Sequence, residues 1–300
     1  MVISRSCPVC DNGENYELYA KANYDLSKLD EFAFASRKMP EYMHYNLVKC
    51  NECDTVYANE IIHEILNLTT LYEEAAYDSM EEAYYASKAY ARLLPKVMKK
   101  LPDFEGALDI GTGNGSFLEE LLEAGFSNVM GVEPSSAPIA SAKEHIKPLI
   151  KPSIFLKEMF TPESLSLVTC FQTLEHLDDP YSFCLDSHSL LKKDGAIMLV
   201  THSHKALSTR VLGERSPIFD IEHLQLFSPI SLKCLLKKAG FCEIIVSGIT
   251  NYYPFHYWFK LAPIPQDFKE KMYLGLKKSR IGKVTFPLPA GNIVAIGFKR

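Results

Sequence analysis

From Ala107 onward the chain alternates short apolar runs with amphipathic ones, and this alternation constrains the fold more than any other feature. Segments such as "ALDIG", "VMGVE" and "SLVTCF" have the length and composition of buried parallel strands. Segments such as "SFLEELLEA" and "SPISLKCLLKKAG" have apolar residues at helical spacing. Strands that alternate with helices favour right-handed crossover connections. The sequence therefore predicts an α/β fold, with a doubly wound parallel sheet and helices on both faces.

Capping residues, prolines and glycines set the expected limits of the later helices and strands. A helix is predicted from Asp178 to Gly195, with an acidic cap, Pro180 in its first turn and Gly195 past its end. The strand "AIMLVTHS" should follow this helix. The last two strands are expected at "CEIIVSGI" and "NIVAIGFK", and the insertion between them should be partly helical. We expect this insertion, at 251–290, to cover a binding site.

The first strand of this region leads into a loop, "DIGTGNGS", with three glycines two residues apart. Gly111, Gly113 and Gly115 lack a Cβ, so the backbone can turn sharply and lie against a ligand. The dinucleotide fingerprint requires a glycine three residues after the second one, and this loop has Ser there. Glu133 ends the next strand, 24 residues after Asp109 (133 minus 109), where a carboxylate can accept hydrogen bonds from both ribose hydroxyls. The pattern indicates an adenosine group; a tight turn in the core and a dinucleotide site are the alternatives.

These motifs together resemble those of the class I S-adenosylmethionine-dependent methyltransferases. The D-x-G-x-G-x-G loop and the following acid carry the resemblance, and "LVTCFQTLEHLDDP" and "DIEHLQLFSPISLKCLLKKAGF" are similar to later segments of that family. The resemblance covers roughly residues 100–250 and implies a Rossmann-like methyltransferase sheet with S-adenosyl-L-methionine as cofactor. It implies these cofactor-binding residues: Asp109, Gly111, Thr112, Gly113, Gly115, Glu133, Pro134, Phe171 and Gln172. The residue that contacts the adenine is left unassigned.

Four of the eight cysteines form two C-x-x-C pairs. Cys7, Cys10, Cys50 and Cys53 have the spacing of two zinc knuckles, whose thiolates complete a closed tetrahedral site. The 39 residues between the pairs exceed the usual spacing of a zinc ribbon, so a folded excursion should lie between them. Four aromatic residues could form its core: Phe32, Phe34, Tyr42 and Tyr45. A closed site leaves no position for substrate, so we assign the zinc to structure; unligated thiols and a docking module are the alternatives.

Packing in the core is expected for the other four cysteines, because they lie on predicted strands and helices. These are Cys170, Cys184, Cys234 and Cys242.

Methyl transfer from a sulfonium is an in-line displacement, so the protein aligns the acceptor and supplies a base where a proton has to leave. A zinc unit before a methyltransferase domain resembles the sugar C-methyltransferases and related enzymes of polysaccharide gene clusters. In those sugar enzymes a Glu-His pair is implicated in catalysis, which implies Glu222 and His223 here, with His223 as general base. His223 could instead only pack its loop. His202 is a further catalytic candidate, His204 is a second choice, and His176 should order a turn. A second metal site built from these last three histidines is a further alternative.

The motifs divide the chain into three parts. A zinc-binding unit is predicted at 1–58, a helical lid or linker at 59–102, and the methyltransferase domain at 103–300. The middle part has tyrosines that could form a lid over the cofactor or a packed helix face: Tyr72, Tyr77, Tyr84, Tyr85 and Tyr90.

Charge and hydropathy exclude other classes of partner. A chain of 300 residues with a formal net charge of -5 and a pI near 6.0 lacks the basic field that nucleic acid or an anionic membrane would require. No run is apolar enough to cross a bilayer and the start lacks the features of a signal peptide, so we expect a cytoplasmic protein without membrane insertion. The sequence therefore predicts a methyltransferase for a small polar acceptor, such as a sugar or nucleotide sugar. The alternative is a protein that binds S-adenosylmethionine without turnover and docks through its zinc ribbon.

Overall fold

The computed structural model describes residues 2–25, 42–62, 80–261 and 266–300. Some predictions fall outside the described residues, namely those on Phe32, Phe34, Tyr72, Tyr77 and the helical segment before Met80. The described strands, in chain order, are β1 (Val2–Ser4), β2 (Tyr16–Ala20), β3 (Leu47–Cys50), β4 (Val56–Ala58), β5 (Glu60–Ile62), β6 (Glu105–Ile110), β7 (Ser127–Glu133), β8 (Ile150–Pro152), β9 (Leu165–Phe171), β10 (Leu191–His202), β11 (Gln225–Leu226), β12 (Cys242–Gly248), β13 (Asn251–Pro254), β14 (Thr285–Leu288) and β15 (Asn292–Phe298). The described α-helices are α1 (Met80–Ala91), α2 (Leu94–Met98), α3 (Ser116–Glu123), α4 (Ser136–Ser141), α5 (Pro180–Leu190), α6 (Leu207–Leu212), α7 (Pro229–Lys238), α8 (Phe255–Leu261) and α9 (Gln266–Lys278).

A seven-stranded sheet forms the centre of the molecule, with the strand order β12-β15-β10-β9-β6-β7-β8. Strands β6 to β10 run parallel to their neighbours among themselves, as crossover connections require. This is the Rossmann-like methyltransferase sheet that was predicted. Strand β15 lies between β10 and β12 and is antiparallel to both, so the sheet is mostly but not wholly parallel. Residues 249–291 connect β12 to β15, and the chain re-enters the sheet beside the strand that it left, in the opposite direction.

Side chains of the sheet alternate between two cores. In β10, Ile197 and Leu199 face one core, whereas Met198 and Val200 face the other. Helices α5 and α7 pack in the first core, and α1, α2 and α3 pack in the second. All four β10 side chains are fully buried, and each such burial stabilises the fold by roughly 1.5–3 kcal/mol. The helices therefore cover both faces of the sheet.

The helix predicted to run as far as Gly195 begins as expected but ends earlier. Asp179 caps its first turn through a side-chain hydrogen bond, as the acidic cap predicted. Helix α5 ends at Leu190, and β10 begins at the next residue. Gly195 lies instead at a register shift of β10 against β9, between Leu191 and Ala196. A glycine that looked like the end of a helix therefore accommodates a β-bulge.

The cysteine-containing segment folds as a small antiparallel sheet that a distant strand completes. Strands β2, β3 and β4 pair in order, and β11 pairs with β4. Strand β1 pairs with β5, which lies beyond the limit predicted at residue 58. The buried Arg5 guanidinium donates to the Leu224 carbonyl at 3.4 Å and to Gln225 Oε1 at 3.1 Å. The N-terminal unit is thus anchored on the segment that follows Glu222 and His223.

The insertion between β12 and β15 contains helices α8 and α9, in agreement with the expectation that it is partly helical. Its strands β13 and β14 form a separate antiparallel pair. Tyr253 in β13 is buried in the second core and lies edge-on to Tyr85 of α1, with ring centroids 6.3 Å apart. Among the helices of the described residues, none is long and apolar enough to cross a membrane.

Candidate active site

The glycine loop joins β6 to α3 and is left-handed at each of its glycines, with φ of 73° at Gly111, 58° at Gly113 and 71° at Gly115. An added Cβ would lie 2.2 Å from Thr173 Oγ1 at Gly111 and 2.4 Å from Ile146 Cγ2 at Gly115. At Gly113 the added Cβ would meet nothing within 4 Å. The outer glycines therefore permit close packing of the loop, and the space over Gly113 is open to a ligand.

Glu133 points its carboxylate at this loop. Its Oε2 accepts a hydrogen bond from the Gly113 N–H at 2.9 Å, and its Oε1 accepts one from the Ser135 N–H at 2.9 Å. Burial raises the pKa of Glu133, and the two backbone donors oppose that rise. Each carboxylate oxygen can accept a second hydrogen bond. The site therefore fits the two hydroxyls of a ribose, as the cofactor requires.

Asp109 lies at the end of β6, beneath the loop, and is 3% exposed. Thr169 Oγ1 donates to Asp109 Oδ1 at 2.6 Å. Burial raises the pKa of Asp109 to about 6, the hydrogen bond from Thr169 opposes the rise, and the nearby Glu133 charge adds to it. A buried carboxylate with few charged neighbours gains from a cationic partner. Asp109 therefore fits an ammonium group such as that of the methionyl moiety.

The end of β9 approaches the same loop. The Phe171 ring packs against Tyr90 of α1, at a centroid distance of 4.7 Å, and against Phe117 of α3, at 4.6 Å. Gln172 has a positive φ of 51°, and its N–H donates to the Val200 carbonyl at 2.7 Å. The chain turns there and brings the next residue, Thr173, against Gly111. The predicted cofactor-binding residues of two strands thus meet at one edge of the sheet.

The structure brings together Glu222, His223 and His202, and it adds His176 to them. The His223 ring centroid is 4.8 Å from that of His176 and 5.4 Å from that of His202. Glu222 Oε2 lies 3.7 Å from His176 Nδ1. His223 Nδ1 lies 2.8 Å from the Ile218 carbonyl, which can only accept a hydrogen bond, so Nδ1 carries the proton. In the neutral ring the basic nitrogen of His223 is therefore Nε2.

His202 has a pKa lowered to about 3, mainly by burial and further by the charge of His223 when that ring is protonated. Its Nδ1 lies 3.0 Å from Asn292 Oδ1, on β15. Because its pKa is so low, His202 stays neutral near neutral pH. His202 is thus suited to hydrogen bonding, and less suited to acting as the base.

Glu175 is a buried acid of this site that the sequence reasoning missed. Its Oε1 accepts the His202 backbone N–H at 2.6 Å, and its Oε2 has no hydrogen-bond partner within the described ranges. Burial raises the pKa of Glu175 to about 7. Gln225 Nε2 donates to the carbonyl oxygens of Leu174 at 2.8 Å and Leu177 at 2.7 Å, which fixes the turn around Glu175. The signal that could have indicated Glu175 is its place directly after β9, beside residues already selected.

The four N-terminal cysteines converge on one point. Cys7 Sγ and Cys53 Sγ are 3.4 Å apart, Cys10 Sγ and Cys50 Sγ are 3.5 Å apart, and all four sulfur atoms lie within 4.8 Å of one another. A tetrahedral zinc ion with Zn–S bonds of about 2.3 Å would place its sulfur ligands roughly 3.8 Å apart. The cluster therefore fits zinc with a small adjustment. It is the one potential metal-binding group that the described residues contain.

His204 lies apart from the histidine cluster, so the alternative metal site with His176 and His202 does not assemble. Its Nε2 donates to the Asp54 carbonyl at 2.8 Å, next to Cys53.

The remaining cysteines follow the packing expectation only in part. Cys170 and Cys184 are buried and Cys234 is half-buried, but Cys242 is exposed. Cys242 begins the edge strand β12, where the alternating side chains of one face reach solvent.

Comparisons with known proteins identify the family of the chain. The methyltransferase-domain family matches residues 81–244, which is more than half of the chain. A ubiquinone biosynthesis O-methyltransferase of Pseudomonas aeruginosa (strain UCBPP-PA14) is 30% identical over 170 residues, covering 52% of this chain and 72% of the relative. The chain belongs to the class I S-adenosylmethionine-dependent methyltransferases.

The chain is also similar to solved structures of other methyltransferases. One is an S-adenosylmethionine-dependent methyltransferase of Archaeoglobus fulgidus, with a TM-score of 0.48 and 17% identity, covering 79% of this chain and 100% of that chain. Another is phosphoethanolamine N-methyltransferase 2 of Haemonchus contortus in complex with S-adenosyl-L-methionine, with a TM-score of 0.48 and 15% identity, covering 80% of this chain and 60% of that chain.

The family match includes the glycine loop, Glu133 and the histidine cluster of this methyltransferase, whereas the cysteine cluster and β15 lie outside it.

The described tyrosines of the segment predicted as a lid or linker lie in different environments. Tyr90 is buried against Phe171, Tyr85 is half-buried, and Tyr84 is 51% exposed. Helix α1 therefore packs on the domain through Tyr90, next to the cofactor loop.

Proposed function

We propose that this methyltransferase methylates a hydroxyl group of a small polar acceptor, a sugar or nucleotide sugar, and that His223 is the general base. The observation that supports this role is the hydrogen bond from His223 Nδ1 to the Ile218 carbonyl, which leaves Nε2 as the basic nitrogen. When bound, S-adenosylmethionine supplies an electrophilic methyl group on a sulfonium. Nε2 would accept the proton that the acceptor hydroxyl loses, which makes the hydroxyl oxygen more nucleophilic. The name of the O-methyltransferase relatives supports oxygen as the acceptor atom.

The neighbours of His223 suit a base that becomes cationic during the reaction. The Glu222 carboxylate lies 3.7 Å from His176 Nδ1, and its negative charge stabilises positive charge in the histidine cluster. His202 stays neutral because of its low pKa, so it adds no repulsion when His223 takes up a proton. We propose Glu222 and His202 as residues that orient and stabilise the base.

For the cofactor we propose one role for each side of the loop. Asp109, Gly111 and Thr112 would bind the methionyl end, and Gly113 and Gly115 would let the backbone lie against it. Glu133 would bind the ribose. Two flanking pairs complete the proposed set: Pro134 with Glu133, and Phe171 with Gln172. The support is the open space over Gly113 next to the Glu133 carboxylate.

We infer that the four-cysteine cluster binds one structural zinc ion. The support is the convergence of four sulfur atoms in a mostly buried position, which leaves no ligand site for substrate. Thiolates persist as zinc ligands where the compartment is reducing, so the inference includes a cytoplasmic location.

The test of the proposed function is a comparison of His223→Ala with the wild-type protein and with His145→Ala. His145 is an exposed histidine that pairs with Glu119 of α3 and is not part of the cluster, which makes it a matched control. Formation of S-adenosylhomocysteine is measured with a panel of nucleotide sugars, and cofactor affinity is measured by calorimetry. Loss of a general base should reduce turnover by roughly 100- to 10,000-fold at unchanged affinity for S-adenosylhomocysteine. Full turnover in His223→Ala would exclude this base, and tight cofactor binding without any turnover would favour the non-catalytic binding protein.

A further inference from the structure

A cavity of about 650 Å³ lies between the N-terminal unit and the segment that leads to His223. Its volume is within the range of small-molecule sites. Its described lining residues all lie outside the glycine loop, so it is separate from the cofactor cradle. The N-terminal unit contributes two of the lining residues that matter here, Tyr19 and Asn23, and the segment 207–219 contributes four, Thr209, Glu214, Arg215 and Phe219.

One wall of the cavity is aromatic. The rings of Tyr19 and Phe219 are stacked, with centroids 6.2 Å apart and planes inclined by 22°. Tyr19 is also held edge-on by His204, at 5.8 Å. Phe219 is buried, whereas Tyr19 is half-buried. These contacts hold a flat aromatic surface in place, which is the type of surface on which a ring can stack.

Two hydrogen-bond acceptors, one from His44 and one from Glu214, lie close to each other next to this wall. His44 is buried, and its Nδ1 donates to the Tyr45 carbonyl at 2.8 Å, so in the neutral ring Nε2 is an acceptor. This Nε2 has no hydrogen-bond partner in the described part of the chain and lies 3.9 Å from Oε2 of Glu214, a second acceptor. His44 does not line the cavity, so Glu214, which does, is the acceptor of this pair that a ligand can reach. A hydroxyl group of a sugar ring is a donor for its carboxylate.

The same side of the cavity presents a positive charge. Arg215 is exposed, and no carboxylate of the described residues forms an ion pair with it. Asn23 fixes the opposite wall, because its Nδ2 donates to the Tyr42 carbonyl at 2.9 Å and its Oδ1 accepts the His44 N–H at 2.8 Å. A planar guanidinium that lacks a partner favours phosphate, which it can bind through two parallel hydrogen bonds.

We propose that this cavity binds the sugar-phosphate part of the methyl acceptor, with the sugar ring on Tyr19, which Phe219 supports from behind, and the phosphate at Arg215. The inference rests on the proposed function. Phe219 and His223 belong to the same short turn, since the His223 N–H donates to the Asp220 carbonyl at 3.1 Å. The turn thus links the recognition of the acceptor to the position of the base. In this arrangement the N-terminal unit takes part in acceptor recognition in addition to binding zinc.

The test is a titration of the full chain with three hexose 1-phosphates (glucose, galactose and mannose), with the free hexoses and with inorganic phosphate. Arg215→Gln should weaken binding of the preferred hexose 1-phosphate by roughly 10- to 100-fold, the effect of losing a hydrogen bond to a charged group. Arg210→Gln is the matched control, because Arg210 is exposed on α6 but does not line the cavity, and it should bind as wild type does. Tyr19→Leu should weaken binding of the hexose 1-phosphate and leave inorganic phosphate unaffected.

Each protein is also titrated with S-adenosylhomocysteine, so that a failure can be assigned. If S-adenosylhomocysteine binds but no hexose 1-phosphate binds at millimolar concentration, the inference about the cavity is overturned and the cofactor assignment remains. Equal binding of inorganic phosphate and hexose 1-phosphate would also overturn it, because the site would then be an anion patch only. Loss of S-adenosylhomocysteine binding in the wild-type protein would instead contradict the proposed function itself.

Discussion

Glu133 is the side chain on which cofactor affinity should depend most. Replacing it with Ala removes the acceptor for two ribose hydroxyls, and each hydrogen bond to a charged group contributes about 1.5–3 kcal/mol. Glu133→Ala should therefore bind S-adenosylhomocysteine at least roughly 100-fold more weakly than wild type, as measured by calorimetry. Glu123→Ala is the control, since Glu123 is exposed at the end of α3. Unchanged affinity in Glu133→Ala would contradict the ribose-binding role.

Glu175 should make stability depend on pH. Its pKa is about 7 in the folded chain and about 4.3 when unfolded, so the folded state binds the proton more tightly. The resulting stabilisation is present below the unfolded pKa and is lost as pH rises through the folded pKa. Relative to wild type, Glu175→Gln should therefore gain stability between about pH 5 and pH 7, by at most about 1.4 kcal/mol per pH unit. Thermal unfolding across this range measures the difference in stability between variant and wild type. A difference that does not change with pH would be inconsistent with ionisation of Glu175. The control is Glu158→Gln at an exposed position, which should show no pH-dependent difference.

The two acids differ in how readily a sequence reveals them. Glu133 follows the glycine loop at a spacing set by one strand-helix-strand unit, so local pattern was sufficient to select it. Glu175 is defined by contacts with residues distant in the chain: His202 is 27 positions away, and the Asn292 partner of that histidine is another 90. Neither contact leaves a periodic signal. Long-range hydrogen bonds such as these are visible only once the strands are placed side by side.

Within the glycine loop, Gly111 and Gly113 are glycines for different reasons. Gly111→Ala should destabilise the fold, because its Cβ would overlap Thr173, whose short side chain cannot move away. Gly113→Ala places its methyl group in open space and costs only the backbone strain of a positive φ, roughly 1–2 kcal/mol. Gly113→Ala should therefore stay folded but bind S-adenosylhomocysteine more weakly. Thermal unfolding and calorimetry of both variants give the comparison, and an opposite order of stability would refute it.

Element limits were predictable where a capping side chain marks them. Asp179 and Ser228 begin helices α5 and α7 as expected, and Ser228 forms a reciprocal capping box with Ser231. The end of α5 was not predictable from Gly195, because a glycine suits both a helix end and a β-bulge. Which of the two forms at Gly195 depends on the pairing of Leu191 with β9, and this pairing exists only in the assembled sheet.

For the whole molecule, the four-cysteine cluster should support more than its own loops. Strand β11, directly after His223, is part of the N-terminal sheet, and the Cys53 knuckle accepts the His204 hydrogen bond through Asp54. Cys50→Ser should lose the bound zinc and lower the unfolding midpoint by roughly 10 °C or more. Cys242→Ser should change neither, because Cys242 is exposed and outside the cluster. Zinc content and thermal unfolding are measured together; retention of one zinc per chain by Cys50→Ser would rule out this ligand.

The division into three parts remains a prediction, and the structure bears on it in one respect. The N-terminal sheet shares its core with Ile218, Phe219, Ile221 and Leu224, which lie in the segment beside the histidine cluster. Sequence pattern located the cysteines but could not indicate this packing, because apolar residues of a short loop carry no period. The segment beside the histidine cluster thus depends on packing against the N-terminal sheet.

The position of β15 has a consequence for how the chain assembles as it is made. Strand β12 occupies the edge of the central sheet and pairs there with β15 alone among the described strands. Until Asn292–Phe298 have been synthesised, β12 has no place in the sheet and the long edge of β10 stays open. Open strand edges pair readily with other chains. The growing polypeptide therefore passes through a stage in which the cofactor loop is complete but the sheet is not, and chaperone protection is most valuable at that stage.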